Sequence, residues 1–200
     1  MHKVLARNIT NLDDARYFAA HMVEWMVVSP PNDEELAISL LKGISQWIEG
    51  PYLAIPISSS ISLQVLTEKG LCNAAVYTES ELYSDPQIGV YSFMELELNP
   101  ERPEKSLQKV IKQFHLAIDA IILNGRVHTI GLDHFLFKKV LKSTYQLPVP
   151  VWIDLDLSLK DLKIIKDKYP GVGLVVYGKE ESGLRDFSEL DAFFSAIERD

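Results

Sequence analysis

One cysteine, Cys72, stands in a chain of 200 residues, so neither an internal disulfide framework nor a cysteine-cluster metal site can form. Long apolar runs are missing too, and no segment reads as a membrane span. Met1-His2-Lys3-Val4 leads straight into a strand-like run without the apolar stretch of a signal peptide, so the expected compartment is the cytoplasm. Positive charge is the minority sign: 20 Lys and Arg stand against 28 Asp and Glu, a net charge of -8, with no basic block. That balance argues against a nucleic-acid or anionic-membrane partner. There is no low-complexity stretch and no Gly-, Pro- or Ser-rich linker, which points to one domain over residues 1–200. No G-x-G-x-x-G follows the first strand-like run, which weakens a dinucleotide-binding reading. His21, His115, His128 and His134 lack H-E-x-x-H spacing, and the expectation is no metal and no cofactor.

What the chain does have is alternation. Short apolar runs at Lys3–Arg7, Trp25–Val28, Tyr52–Ile57, Ala74–Thr78, Gly89–Glu97, Ala120–Leu123, Val151–Asp154 and Gly173–Tyr177 read as strands. Amphipathic stretches between them read as helices. The first is capped by Thr10 or Asn11 and carries the stripe Leu12, Ala15, Ala19 and Met22. Others cover Asp33–Ile48, Ile61–Lys69, Pro103–His115, Leu132–Lys142, Leu159–Lys168 and Phe187–Arg199, while Glu79–Gln87 offers at most one helical turn. Strict strand–helix alternation implies a parallel sheet with helices outside. Eight units fit either a closed barrel or an open doubly wound sheet. Trp25, Trp47 and Trp152 lie in apolar runs and are expected in the core or in helix–sheet packing.

Three segments favour the barrel. Ile9-Thr10-Asn11-Leu12-Asp13-Asp14-Ala15 resembles the G-I-T-N-x-E-D-A segment of phosphoribosylanthranilate isomerase, a (β/α)8 barrel of tryptophan biosynthesis. Asp119-Ala120-Ile121-Ile122-Leu123 resembles that family's sixth strand. Gly171-Val172 through Gly183-Leu184-Arg185-Asp186 aligns without a gap with its strand-eight segment, and Pro150-Val151-Trp152-Ile153 fits strand seven. The resemblance implies a single α/β barrel with its site at the carboxyl ends of the strands, where barrel enzymes place their chemistry.

It also implies an Amadori rearrangement that needs a general base and a general acid. The family's base is a cysteine ending strand one, and that position holds Arg7, followed by Asn8. A guanidinium stays protonated and cannot accept a proton. The family's acid is an aspartate ending strand six, and that position holds Asn124. Each such group contributes about 10²–10⁴-fold, so little or no isomerase activity is expected. Cys72 precedes strand four, at the far end of the barrel, and cannot substitute. The family's glycine-rich phosphate seat is occupied by Asp154-Leu155-Asp156 and Val175-Val176-Tyr177.

The mouth is expected to gather Arg7, Asn8, Tyr77, Glu79, Glu95, Glu97, Asn124, Asp154, Asp156, Tyr177 and Lys179. Three readings follow. Arg7 pairs with Asp154 or a glutamate and fills the old pocket, leaving a non-catalytic or repurposed barrel. Alternatively, acids such as Asp154 or Glu95 have taken over an isomerase reaction, on the original or a related sugar. Or paired carboxylates, with Asp154 and Asp156 at same-face spacing, hold Mg²⁺ or Mn²⁺ or act as an acid–base pair. The expected partner is a small-molecule ligand at the mouth of a monomer or homodimer.

Overall fold

The computed structural model describes residues 3–58, 61–83, 90–178 and 187–198. Lys179 and residues 183–186 of the strand-eight segment lie outside the described residues, as does Gly89. The strands are β1 (Val4–Ile9), β2 (Trp25–Val28), β3 (Tyr52–Pro56), β4 (Ala74–Thr78), β5 (Tyr91–Glu97), β6 (Ala120–Asn124), β7 (Val151–Asp154) and β8 (Gly173–Tyr177). Between and after them run α1 (Leu12–Ala20), α2 (Glu34–Trp47), α3 (Leu63–Glu68), α4 (Glu79–Leu82), α5 (Glu104–Phe114), α6 (Phe135–Thr144), α7 (Leu159–Lys168) and α8 (Ser188–Glu198). The strands pair in chain order, all parallel, and β1 closes on β8. This is a (β/α)8 barrel.

Local chemistry starts several helices. Asn11 caps α1 by accepting the Asp14 N–H at 3.0 Å, and Asp33 does the same for Leu36 at the start of α2, at 2.9 Å. Each satisfies a backbone donor that the first helical turn leaves open. The single turn α4 forms because Thr78 and Glu81 make a reciprocal capping box.

Side-chain alternation along each strand makes two separate cores. Outward residues such as Ala6, Met26, Ile55, Met94, Ile121 and Ile153 pack under the helices. Inward residues fill the barrel: Leu5, Trp25, Val27, Ala54, Ala74, Val76, Phe93, Ala120, Ile122, Trp152 and Val175. The inner set mixes small with large. Three alanines and Gly173 leave room for Trp25, Phe93 and Trp152, whose rings meet edge to face at 5.0 and 5.4 Å. A methyl added at Gly173 would sit 2.5 Å from the Trp152 indole. Gly173→Ala is therefore expected to cost about 1–3 kcal/mol by overpacking. Gly43→Ala, in open space on α2, should instead stabilise by about 0.5–1 kcal/mol. Urea unfolding of the two variants checks both signs.

Three expectations are corrected. Trp47 is not in the core: it ends α2, 68% exposed, with the Arg16 guanidinium 5.1 Å from its ring. Met22 does not extend the α1 stripe, because the helix stops at Ala20 and Met22 turns outward with φ 52°; Phe18 takes the buried place. Tyr77 does not reach the mouth. It lies between inward-facing Val76 and Thr78, so it points outward into the helix-covered core and is fully buried.

Candidate functional site

Above the inner core sits one further layer of inward side chains, two residues along from Leu5, Phe93, Ile122, Trp152 and Val175. It consists of Arg7, Glu95, Asn124, Asp154 and Tyr177. Strand register sets them side by side: Arg7 lies opposite Tyr177 on β8, and Asn124 opposite Asp154 on β7. The Arg7 guanidinium donates from both terminal nitrogens to Glu95, each at 2.8 Å, and from one of them to Asp154 Oδ2 at 3.1 Å. Asn124 donates its amide to Glu95 Oε1 at 2.6 Å, and the Tyr177 hydroxyl donates to Asp154 Oδ2. Arg126, on the short 3₁₀ turn after β6, lies 4.6 Å from the Tyr177 ring.

The layer is nearly dry, with the Arg7 and Glu95 side chains each 15% exposed and Asp154 wholly buried. A buried charge needs a partner, and the bidentate fork provides one. Burial pushes the Glu95 carboxyl up, but the Arg7 hydrogen bonds and charge, with Asn124, outweigh it and hold the group below its ordinary range. Asp154 goes the other way. Burial dominates and raises it, against the Tyr177 hydrogen bond and the Arg7 charge. Its Oδ1 is buried without a hydrogen-bond partner.

The sign of the Glu95 shift gives a testable pH dependence. A depressed carboxyl contributes stability above its unfolded value, near 4.5, and loses it as pH falls through the folded value. Glu95→Gln should cost about 1.5–3 kcal/mol at neutral pH, the worth of charged hydrogen bonds. The difference from wild type should be flat above the unfolded value and shrink steadily below it. Urea midpoints measured across that acid range check this.

Beside the plugged layer the mouth is open. A cleft of about 680 Å³ lies over β4, β5 and β6, lined by Thr78, Glu79, Ser80, Tyr83, Glu95, Glu97, Asn99, Arg102, Asn124 and Val127. That volume suits a small ligand. Arg102 forks onto Glu79, one bond measuring 2.8 Å, and its Nε donates to Ser106 at 2.8 Å. The imidazole of His128 meets Glu97 Oε1 at 2.6 Å.

The predicted mouth residues therefore divide. Arg7, Glu95, Asn124, Asp154 and Tyr177 come together in one network. Glu79 and Glu97 belong to the cleft, which Glu95 and Asn124 also line. Asn8 sits at the β1 end with φ 58°. Asp156 is not paired with Asp154, because β7 ends at Asp154 and Asp156 is exposed. Among the described residues no three His, Cys, Asp or Glu side chains cluster as metal ligands. Cys72 is buried at the amino end of β4, its Sγ 2.9 Å from Ala74 O, and burial pushes its thiol up to about 11. Sequence reasoning missed Arg102, Tyr83, Asn99 and Val127. The signal available was position alone: all four follow a strand, in segments that open at the carboxyl face.

Among the described residues, strand ends seven and eight show no open backbone cradle. Leu155 is buried, Tyr177 covers the Arg7 side, and the Gly178 N–H is donated to Arg7 O at 2.8 Å. A methyl at Gly178 would lie 2.8 Å from Asn8 O, so β1 and β8 are closed tightly there.

No protein-family model matches the chain, and no curated protein matches it by sequence. Its fold is matched by solved structures along the full length. A phosphoribosyl anthranilate isomerase from Thermococcus kodakaraensis is 14% identical, with a TM-score of 0.64 and full coverage of both chains. Engineered monomers of the dimeric phosphoribosylanthranilate isomerase from Thermotoga maritima are 12% identical, with a TM-score of 0.69 over 99% of each chain. A 3-dehydroquinate dehydratase from Geobacillus kaustophilus reaches 0.68 at 11% identity, covering 99% of this chain and 91% of that one. At such identities the likeness is one of fold. Among the described residues no helix is long and apolar enough to cross a membrane.

Proposed function

We propose that this chain is a cytoplasmic, isomerase-like barrel in which the inherited catalytic centre has been closed, and that it binds a small polar molecule at its carboxyl mouth. It works as one domain over residues 1–200, as a monomer or homodimer, with little or no Amadori isomerase activity. The observation that carries the reading is the Arg7 fork. The position assigned by resemblance to a proton-accepting thiol holds a guanidinium bound to two carboxylates, and the position assigned to the acid holds an amide that donates to one of them. Neither group exchanges a proton near neutral pH.

A second reading, an isomerase run by Glu95 and Asp154, has one observation behind it. The two carboxyls are pushed in opposite directions, as an acid and a base would be. Access weighs against it. Asp154 is wholly buried and absent from the cleft lining, and Glu95 has both oxygens held by Arg7. The test is amide chemical-shift mapping of the full chain with ribose 5-phosphate. The reading predicts no saturable shift at Asn8, Leu155 or Gly178, where a phosphosugar would seat. Saturable shifts there would overturn it.

A further inference from the structure

The cleft over β4 to β6 has its own charge pattern, separate from the plug beside it. Three carboxylates line it: Glu79, Glu95 and Glu97. Two are matched by permanent cations in bidentate pairs, Glu79 by Arg102 and Glu95 by Arg7. Among the described residues, Glu97 pairs with an imidazole, which is charged only when protonated, and its side chain is 54% exposed. A neutral imidazole N–H satisfies one oxygen without cancelling the charge. Arg102 is near enough to feel Glu97, but its hydrogen bonds go to Glu79 and Ser106. Arg126 is turned away onto the Tyr177 ring. Among the described residues, the lining therefore carries one carboxylate more than its permanent cations.

The rest of the lining narrows the ligand. Tyr83 and Val127 are exposed apolar walls at the cleft edge, suited to the C–H face of a small ring. Asn99 lines the cleft and commits its Oδ1 to the Glu101 N–H, at 2.9 Å, so what it can offer a hydroxyl is its amide N–H groups as donors. An anion would face three carboxylates, with the two arginines that could attract it already committed to Glu79 and Glu95. We propose, building on the mouth-binding reading above, that this cleft takes a small polyhydroxylated amine, with its ammonium on Glu97 and its hydroxyls toward Asn99 and Asn124. Selectivity for a cation is the reverse of what a phosphosugar site requires.

The test is an amide chemical-shift titration of the full chain with D-glucosamine, D-glucose and ribose 5-phosphate as probes. Glucosamine should shift the amides of Glu79, Tyr83, Asn99 and Val127 and bind about two- to fivefold more tightly than glucose, the gain of one exposed ion pair. Glu97→Gln, at an exposed site that the fold does not need, should erase that preference. His128→Ala removes the competing N–H and should leave glucosamine preferred at least as strongly. Equal binding of the two hexoses, occupation of these residues by ribose 5-phosphate, or no shift with either hexose at millimolar concentration would each overturn the inference. Ribose 5-phosphate shifts at Asn8, Leu155 and Gly178 would instead overturn the closed-centre reading, so the two failures are told apart by residue.

Discussion

Arg7→Met is expected to destabilise the chain by about 3–5 kcal/mol, the cost of leaving buried charge without its partner. Methionine keeps the volume of the arginine stem and removes the guanidinium. Glu95 then keeps only Asn124 as a donor, and Asp154 only Tyr177, in a layer that admits little water. Desolvating two carboxylates that face each other is worse than desolvating one. The account also predicts the repair. Combining Arg7→Met with Glu95→Leu, Asp154→Leu and Tyr177→Phe should recover most of the loss, because an apolar layer has no charge to desolvate. Urea unfolding of the single and quadruple variants distinguishes a cost of unpaired charge from a simple loss of packing. A loss below about 1 kcal/mol for Arg7→Met would mean that the layer is as wet as a surface ion pair.

Introducing the two residues that the resemblance assigns to the chemistry, by Arg7→Cys with Asn124→Asp, is expected not to yield an isomerase. The naive expectation is a large gain, since each acid–base group contributes about 10²–10⁴-fold. The surroundings oppose it. Removing Arg7 orphans Glu95 and Asp154, and the Asn124→Asp change would place a third carboxylate where an amide now donates to Glu95 at 2.6 Å. Like charges at that distance keep one group protonated or push the strands apart. Tyr177 and Asp154 still fill the ends of β8 and β7, where the resemblance would put a phosphate, and the Gly178 N–H is already committed to Arg7 O. The double variant should therefore lose at least about 3 kcal/mol of stability and show no turnover above the wild type. Turnover with phosphoribosylanthranilate in the double variant alone would contradict this and show that the surroundings of Arg7 and Asn124 do not block the reaction.

Much of the fold was legible because barrel strands obey simple periodicities. β2, β4, β7, β8 and α7 have the bounds that the apolar runs and helical spacing indicate. The same period of two puts Arg7, Glu95, Asn124, Asp154 and Tyr177 on one inward layer, and the pairing of Arg7 with Asp154 or a glutamate is one of the three readings the sequence leaves open; the structure shows it with both Glu95 and Asp154. The errors came where a pattern was extended past its element. Met22 lies beyond the end of α1, Asp156 beyond the end of β7, and Trp47 on the last residue of α2. Tyr77 was an error of parity: its neighbours Val76 and Thr78 face inward, so it cannot. The cleft was the least legible part. Arg102 and Asn99 come from a loop and Val127 from the short 3₁₀ turn, none of which carries a strand or helix period, and the ion pair of Arg102 with Glu79 joins the segments that follow β5 and β4. Its charge balance needs the pairings of each carboxylate, which spacing along the chain does not encode.

The proposal that the Arg7-filled centre does not perform the isomerase reaction is tested most directly by turnover of phosphoribosylanthranilate by the purified wild-type chain. At enzyme concentrations high enough to detect a single turnover, the account predicts a rate indistinguishable from the uncatalysed one. Turnover at an ordinary enzymatic rate, about 1 s⁻¹ or faster, would contradict it and place the proton transfers on Glu95 and Asp154.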